Sequence, residues 1–430
     1  MTLPAETENQ RIVHVPRRFV AHEWGGTETV ILETARQQRL LGLDPVIMTS
    51  MALAKDREDE VGGTPVRRYK HRYPFFGLTA SERAAMDKKG GNLWSGSLFK
   101  ALLKEPGVRL YHAHALKRLG GMVRTAARLR GKPYVVSLHG GVFDVPEAEL
   151  AELTEPIRGK FEWGRVLGAC LGSRNVLRDA DHVICVGQGE ADEARQNLDH
   201  DRISYLPNGV DYARYSEGDG ARFRRDQEIR SDAFVVLCIS RIDAQKNQLA
   251  LVEAFARFHR RVPAAQLVLI GPETQPDYAA KIRSAIDEHG LGDAVRMLPG
   301  LSNESNDLVN AYHAADVFVL PSRHEPFGIV VLEAWCAGKA VIASRVGGLR
   351  TLVKDGESGL FVDPDAEDPV GVLARQLETL HADPGLRQSL GEAGRREAES
   401  RYDWKCITGE LETLYEQAVE HAERRKGGEA

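Results

Sequence analysis

The sequence is poor in cysteine and has no long uninterrupted run of apolar residues. Its five cysteines form no C-x-x-C pair and are scattered along the 430 residues, at Cys170, Cys185, Cys238, Cys336 and Cys406. An odd, dispersed set argues against a disulfide framework and a structural zinc site. No stretch approaches the roughly 18 apolar residues that a membrane-spanning helix needs. The polar N-terminal residues lack the apolar core of a secretory signal, so we expect a cytoplasmic protein.

An excess of positive charge is also missing. The 57 lysines and arginines are outnumbered by 62 acidic residues, and the formal net charge is −5. We therefore expect no nucleic-acid partner. Basic residues cluster locally at Arg67, Arg68, Lys70, His71 and Arg72, and again at Arg124, Arg128, Arg130 and Lys132. A solvated face is the ordinary interpretation. The alternative is a patch that contacts a phosphorylated acceptor or, peripherally, the anionic lipids of the inner membrane face.

Apolar runs alternate with amphipathic segments, which predicts parallel sheets covered by helices on both faces. The predicted strands are Ile12–Val15, Pro45–Thr49, Tyr134–Leu138, His182–Val186, Phe234–Ser240, Gln266–Gly271, Val295–Leu298, Val317–Leu320 and Ala340–Ala343. The charged segment Asp211–Asp232 is the predicted linker. We expect two doubly wound α/β domains, 1–210 and 211–403, with a cleft between them for the ligand, and a final helical segment, 404–430.

Two nucleotide-binding motifs are absent: the dinucleotide fingerprint G-x-G-x-x-G and the P-loop ending G-K-[ST]. Instead, Gly25 and Gly26 stand between the first predicted strand and a helix. Glycines at such a turn let the backbone approach a phosphate or a sugar.

A second loop, between the strand ending at Ser240 and a predicted helix, carries Arg241 and Lys246. Two cations beside a helix N-terminus suit a diphosphate, because arginine can bind in bidentate fashion and lysine acts as a point charge. A solvated basic loop is the competing interpretation.

The segment from Arg323 to Ala334 reads RHEPFGIVVLEA and follows the predicted strand Val317–Leu320. We expect Pro326 early in a helix, Glu325 just before that helix and Glu333 about two turns inside it. Carboxylates so placed can accept hydrogen bonds from vicinal hydroxyls on two sugar rings. An ordinary surface glutamate and an ordinary helical one are the alternative. His139, at the end of a strand and before Gly140, is similarly either a structural or a ligand-binding residue.

Together these motifs resemble the family-4 retaining glycosyltransferases of the GT-B fold. The resemblance rests on the R-x4-K, G-L-S and E-P-F-G-x4-E motifs in the C-terminal half, and on Gly25-Gly26, His139-Gly140 and residues 207–211 in the N-terminal half. It implies two Rossmann-like domains facing across a cleft, with the last helix crossing back to the N-terminal domain. It also implies a nucleotide-sugar donor, a carbohydrate or lipid-linked acceptor, and no metal or other cofactor.

The resemblance also assigns roles. Arg241 and Lys246 would bind the donor diphosphate, and Glu325 would hold the transferred sugar with the amides of Phe327, Gly328 and Ile329. Glu333 would bind the ribose, and Leu301 would lie against the base. His139 would contact the sugar, and Gly25 and Gly26 would lie under the phosphates or the acceptor. Catalytic roles fall to Glu325, His139, Arg241 and Lys246.

The sequence departs from the family pattern at Gly347-Gly348-Leu349-Arg350-Thr351, where the family often has G-G-x-P-E. Arg350 is therefore either a surface replacement or an added donor contact. Two other classes remain open: a sugar-nucleotide epimerase or hydrolase, and a non-catalytic protein that binds nucleotide sugars.

Overall fold

A computed structural model describes residues 10–140, 155–302 and 304–428. The chain divides into two compact units, one formed by residues 1–207 and 407–430 and the other by residues 208–406. Each unit contains one sheet whose strands are parallel except for a single edge strand in the first unit. The predicted α/β architecture with two parallel-sheet domains is therefore confirmed.

The first unit holds an eight-stranded sheet of order β3-β4-β2-β1-β5-β6-β7-β8. The strands are β1 (Arg11–Val15), β2 (Asp44–Ser50), β3 (Glu58–Val61), β4 (Thr64–Tyr69), β5 (Val108–Ala113), β6 (Tyr134–Leu138), β7 (His182–Cys185) and β8 (Ile203–Tyr205). Helices join them: α1 (Gly26–Leu40), α2 (Ala80–Lys89), α3 (Gly96–Lys104), α4 (Lys117–Arg130), α5 (Arg165–Cys170) and α6 (Gln188–Asn197). Strand β6 is buried along its whole length and β1 at every residue after the first, as expected for a parallel sheet covered on both faces.

The second unit holds a six-stranded parallel sheet of order β11-β10-β9-β12-β13-β14. The strands are β9 (Val235–Ile239), β10 (Gln266–Ile270), β11 (Val295–Leu298), β12 (Val317–Leu320), β13 (Ala340–Ser344) and β14 (Leu360–Val362). The helices are α7 (Tyr212–Tyr215), α8 (Gly220–Asp226), α9 (Gln248–His259), α10 (Pro276–Glu288), α11 (Asn306–Ala314), α12 (Ile329–Cys336), α13 (Leu349–Leu352), α14 (Pro369–Ala382) and α15 (Pro384–Arg401).

Both sheets grow outward in two directions from their first strand. The order reverses between β1 and β5 in the first unit and between β9 and β12 in the second. In open α/β sheets, ligands bind beyond the carboxyl ends of the strands at such a reversal. We therefore expect ligands to bind at the carboxyl ends of β1 and β5 in the first unit and of β9 and β12 in the second.

The interpretation of Asp211–Asp232 as a linker was wrong. The segment folds into α7 and α8, and Tyr215 and Phe223 are buried in the core of the second unit. Asp211 and Asp219 cap the two helices by accepting hydrogen bonds from backbone N–H groups. The segment is poor in apolar residues, but its two aromatic rings are enough to anchor it.

The last helix, α16 (Trp404–Gly427), belongs to the first unit from Ile407 onward. Tyr415 is fully buried there, and Glu412 accepts a hydrogen bond from Arg109 at 3.0 Å. Farther along, the His421 ring lies 2.8 Å from Asp181. The C-terminal helix thus supplies buried groups to the sheet of the first unit.

Part of the predicted basic surface is used internally. Arg67 pairs with Glu105 at 2.9 Å, and Arg124 pairs with Asp179. Arg68 is buried. These side chains are partnered inside the first unit, so a wholly solvated face is not what the structure shows. Across the described ranges, no helix has the length and apolar character required to cross a bilayer.

Candidate functional site

The loop between β9 and α9 carries both predicted phosphate-binding cations. Arg241 is about half exposed, with an exposed fraction of 54%, and its guanidinium lies 3.3 Å from Asp243. The backbone N–H of Lys246 donates to the Asp243 carboxylate at 3.0 Å. Asp243 therefore holds the loop in shape while the guanidinium of Arg241 reaches solvent.

The loop after β12 brings Glu325 to the same edge of the sheet. Its Oε2 atom lies 2.6 Å from Nζ of Lys246 and also accepts a weaker hydrogen bond from the Ser322 hydroxyl at 3.4 Å. The backbone N–H of Arg323 donates to the carbonyl of Gln245 at 2.8 Å. Because β9 and β12 are neighbours at the reversal of strand order, the two loops meet there.

A glycine pair that sequence reasoning treated only as part of a motif positions Glu325. The N–H of Gly348 donates to the carbonyl of Glu325 at 2.9 Å. Gly347 has φ +45°, and a Cβ atom there would stand 2.2 Å from the same carbonyl oxygen. Only glycine permits this approach, so the pair fixes the backbone of Glu325 from the β13 side.

The start of the following helix differs from the prediction. Helix α12 begins at Ile329, and Gly328 precedes it with φ +101°, so Pro326 lies in the loop and not in the helix. A residue at this φ ends the regular helical path, which explains the later start. Glu333 therefore lies about one turn inside the helix, not two.

Glu333 is held by an aromatic hydroxyl. The Tyr312 O–H donates to the Glu333 carboxylate at 2.5 Å, and burial raises the pKa of that carboxyl. The carboxylate can still accept further hydrogen bonds, because each oxygen has two lone pairs. Leu301 is partly buried against the same core, and Phe327 is buried close to Tyr402.

The residue that departs from the family pattern, Arg350, is exposed and donates to the backbone carbonyl of Arg345 at 2.9 Å. This contact joins the short helix α13 to the loop just before it. It supports the interpretation of Arg350 as a surface residue.

The predicted glycine turn lies in the first unit, where Gly25 precedes α1. The N–H of Gly25 donates to the Glu28 carboxylate at 3.1 Å, and Arg18 lies 3.6 Å from that carboxylate. Burial raises the pKa of Glu28. One of the two glycine amides is thus bonded to a protein carboxylate, while Gly26 is exposed at the helix start.

His139 also belongs to the first unit, and it is the last of a connected series of histidines. Nε2 of His139 lies 2.9 Å from Nδ1 of His114, and Nε2 of His114 lies 3.0 Å from Nδ1 of His14. The rings of His112 and His114 are tilted by 34° to each other, with their centroids 4.0 Å apart. Sequence reasoning found His139 and missed the other three. The signal was present as H-x-H at the end of β5, next to the first strand in the sheet.

Three of these rings, His14, His112 and His114, have ligand atoms within 4.8 Å of one another, as a metal site would require. All six of their ring nitrogens already make hydrogen bonds to protein groups. A metal ion would have to displace these bonds, so the donor set does not fit a resident metal.

The predicted site residues fall into two groups. Gly25, Gly26 and His139 lie at the carboxyl edge of the first sheet. The carboxyl edge of the second sheet carries Arg241, Lys246, Leu301, Glu325, Phe327, Gly328, Ile329 and Glu333. Among the latter, Lys246 and Glu325 are in direct contact.

Two family models match the chain. Residues 24–214 match the model described as Glycosyltransferase Family 4, and residues 219–397 match that described as Glycosyl transferases group 1. A D-inositol 3-phosphate glycosyltransferase from Acidothermus cellulolyticus is 35% identical over 342 residues, covering 75% of this chain and 70% of the relative. The protein of the same name from Saccharomonospora viridis is 32% identical over 406 residues, covering 92% and 90%.

Solved structures with the same fold include HepE of Anabaena in complex with UDP and glucose. It has a TM-score of 0.70 at 20% identity and covers 94% of this chain and 99% of its own. Sucrose-phosphate synthase from Thermosynechococcus elongatus also has a TM-score of 0.70, at 24% identity, and covers 95% and 99%. At these identities the likeness shows a shared fold.

Proposed function

Since the chain belongs to the family-4 glycosyltransferases of the GT-B fold, we propose that it transfers a hexose-type sugar from a nucleoside diphosphate sugar with retention of anomeric configuration. The observation that carries this proposal is the 2.6 Å contact between Lys246 and Glu325 at the reversal of strand order. This contact supports the proposal because a cation, which suits a phosphate, and a carboxylate, which suits sugar hydroxyls, lie next to each other.

In the proposed reaction two cations stabilise the leaving diphosphate, and the leaving phosphate takes the place of a protein base. The bond between the anomeric carbon and the diphosphate oxygen breaks, and its electron pair stays on the phosphate. Arg241 and Lys246 stabilise that charge. The acceptor oxygen bonds to the anomeric carbon on the same face, and its proton moves to the leaving phosphate. Lys246 has three N–H donors, so its contact with Glu325 leaves others for the phosphate.

The remaining residues are proposed to hold the donor. Glu325 and the amides of Phe327, Gly328 and Ile329 would bind the transferred sugar. Glu333 would accept from the ribose hydroxyls, Leu301 would contact the base, and Gly25 and Gly26 would contact phosphates or acceptor. His139 would contact a sugar hydroxyl. In this scheme the cations take the place of a metal ion.

The acceptor is proposed to be a sugar, a glycan or a lipid-linked carbohydrate. The first acceptor to test is D-inositol 3-phosphate, because the relatives described above are named for it. Uridine diphosphate is the first donor nucleotide to test.

Donor binding is tested by thermal unfolding against a panel of nucleoside diphosphates and their sugars, without added metal. A ligand at about 100 times its dissociation constant stabilises a protein by roughly 2.7 kcal/mol. We expect one nucleotide to raise the midpoint, and Arg241→Ala with Lys246→Ala to remove that rise. Arg260→Ala, at an exposed arginine of the same unit, is the matched control. The donor site is wrong if the double variant keeps the full shift.

Transfer is tested by nucleotide release with and without acceptor, and by NMR of the product's anomeric configuration. A transferase releases nucleotide mainly when acceptor is present. Release without acceptor would favour the hydrolase, and binding without any release would favour the non-catalytic protein. An inverted product would contradict retention.

A further inference from the structure

Buried and half-buried polar side chains form one continuous hydrogen-bonded series in the first unit. It begins at Arg109, near the start of β5, and passes through the C-terminal helix α16 and helix α1 to the carboxyl ends of β1, β5 and β6. Its members are Arg109, Glu412, Gln38, His14, His114 and His139. The proposed sugar contact involves only His139, the last residue of the series. It gives no role to the other five residues.

The direction of the series is set at its first end. Arg109 donates to one oxygen of Glu412 at 3.0 Å, and the other oxygen faces the amide nitrogen of Gln38 at 3.4 Å. That nitrogen also lies 3.3 Å from the Tyr415 hydroxyl. Burial raises the pKa of the Glu412 carboxyl, and the charge of the Arg109 guanidinium opposes that rise. In its ionised form the carboxylate only accepts hydrogen bonds, so the NH₂ group of Gln38 must face it. The amide oxygen of Gln38 is thereby turned to His14.

The protonation of each histidine then determines which ring nitrogen of the next histidine carries the proton. The Gln38 oxygen lies 2.9 Å from Nε2 of His14, so this nitrogen carries the proton and Nδ1 is an acceptor. Nδ1 of His14 accepts from Nε2 of His114, and Nδ1 of His114 accepts from Nε2 of His139. A neutral imidazole has one donor nitrogen and one acceptor nitrogen, so the order repeats along the series. His139 is left with its proton on Nε2 and a lone pair on Nδ1.

We infer that Gln38, His14 and His114 are positioning residues that fix the tautomer of His139, so that its Nδ1 atom accepts a hydrogen bond from a hydroxyl of the bound sugar. This rests on the proposed function, in which His139 contacts the sugar. The ligand group that contacts Nδ1 must then be a hydrogen-bond donor. A carboxylate could not form a hydrogen bond there, because both groups would present lone pairs.

Burial keeps the three histidines of the series neutral. Burial lowers the pKa of His14 and that of His139 to about 4, and it lowers the pKa of His114 well below its usual value. At neutral pH the rings therefore carry one proton each, which is the condition for an alternating series of donors and acceptors. A charged ring anywhere in the row would present two donors and break the order.

The tautomer of His139 can be measured directly by NMR. The full-length protein is labelled with ¹⁵N-histidine, and long-range ¹H–¹⁵N correlation spectra are recorded without ligand at about pH 8. The His139 signals are assigned by their loss in His139→Asn. We expect protonated Nε2 and bare Nδ1. Gln38→Met keeps the volume and removes the amide, so we expect His139 to show both tautomers. Gln37→Met, one residue earlier in the same helix, is the matched control.

A second variant and a kinetic measurement separate positioning from packing. Glu412→Gln is nearly isosteric and replaces a group that only accepts hydrogen bonds by one that also donates them. We therefore expect His139 to show both tautomers in this variant as well. We expect Gln38→Met to lower the rate of sugar transfer about tenfold, the scale of one hydrogen bond to a ligand, while UDP without sugar binds as tightly as before.

The inference is overturned if His139 carries its proton on Nδ1 in the unaltered protein. It is also overturned if Gln38→Met and Glu412→Gln both fold and leave the tautomer unchanged. Because the spectra need no ligand, a protein that binds no nucleotide sugar would end the proposed function and leave the tautomer result readable.

Discussion

Lys246 and Glu325 are 79 residues apart in sequence, yet their Nζ and Oε2 atoms are 2.6 Å apart. Both side chains are mostly buried, with exposed fractions of 14% and 11%. A buried ion pair contributes little net stability, but removing one partner leaves the other charge without compensation. The pair therefore links the ligand-binding role proposed for these residues to the stability of the second unit.

The first prediction separates those two effects. Glu325→Gln keeps an oxygen for Lys246 but loses the charge, and Glu325→Ala loses both. We expect each variant to lower transfer at least about a hundredfold, the scale of one transition-state contact. Both variants remove the charge opposite Lys246 and should lower the free energy of unfolding. The alanine variant also removes the hydrogen-bond acceptor, so it should lower this free energy more, by roughly 3–5 kcal/mol. Turnover and urea denaturation are measured, with exposed Glu357→Gln as the control. A folded Glu325→Gln variant with near-normal turnover would falsify the proposed role.

Much of this site could be predicted from the order of motifs along the chain. The loops after β9 and β12 were identified because each follows an apolar run and carries charged residues at helix starts. The contact between Lys246 and Glu325 could not be predicted, because it depends on β9 and β12 being neighbours. Strand order is a long-range property that local periodicity does not contain.

The second prediction concerns the backbone beneath Glu325. Gly347→Ala would place a methyl group 2.2 Å from the Glu325 carbonyl oxygen, at a residue with φ +45°. We expect the loop to shift and transfer to fall about tenfold or more. Gly356→Ala is the matched control, because Gly356 has φ +75° and nothing lies within 4 Å of the added atom. The backbone strain is then similar in both variants. Equal transfer by the two variants would show that the close contact with Glu325 is unimportant.

The third prediction concerns metal. Two cations serve the diphosphate in the proposed mechanism, and the ring nitrogens of His14, His112 and His114 are already hydrogen-bonded. We expect the rate of sugar transfer to be unchanged after dialysis against a chelator. The measurement compares initial rates before chelation, after it, and with magnesium or zinc restored. A loss of activity that either ion reverses would contradict the site model.

Most of the histidine series could not be predicted from the sequence. His139 was identified because glycine follows it at a strand end, which is a local pattern. His14 lies on β1 and His114 directly follows β5, and the pairing of these two strands brings the residues together. Gln38 and Glu412 come from helices far apart in the chain. Charged or polar residues in buried strands are a usable signal, since they need partners when buried. The partners themselves could not be identified without the topology.

The fourth prediction concerns acid stability. The pKa of His14 and that of His139 are lowered by burial to about 4, whereas an unfolded histidine titrates near 6.5. Between these values the unfolded chain binds more protons than the folded one, so stability rises with pH. The contribution is complete above about pH 6.5 and is lost as the pH falls toward 4. Each such histidine should cost roughly 2–3 kcal/mol by about pH 4.5.

The measurement is the urea midpoint of the first unit at several pH values between about 7.5 and 4.5. In His139→Asn one titrating group is gone, so the midpoint should fall less steeply with acid, whatever its absolute value at neutral pH. His22→Asn, at an exposed histidine of the same unit, should follow the steeper curve of the unaltered protein. If His139→Asn loses stability with acid as steeply as His22→Asn does, His139 cannot be held neutral by the fold, and the alternating series of donors and acceptors would lose its basis.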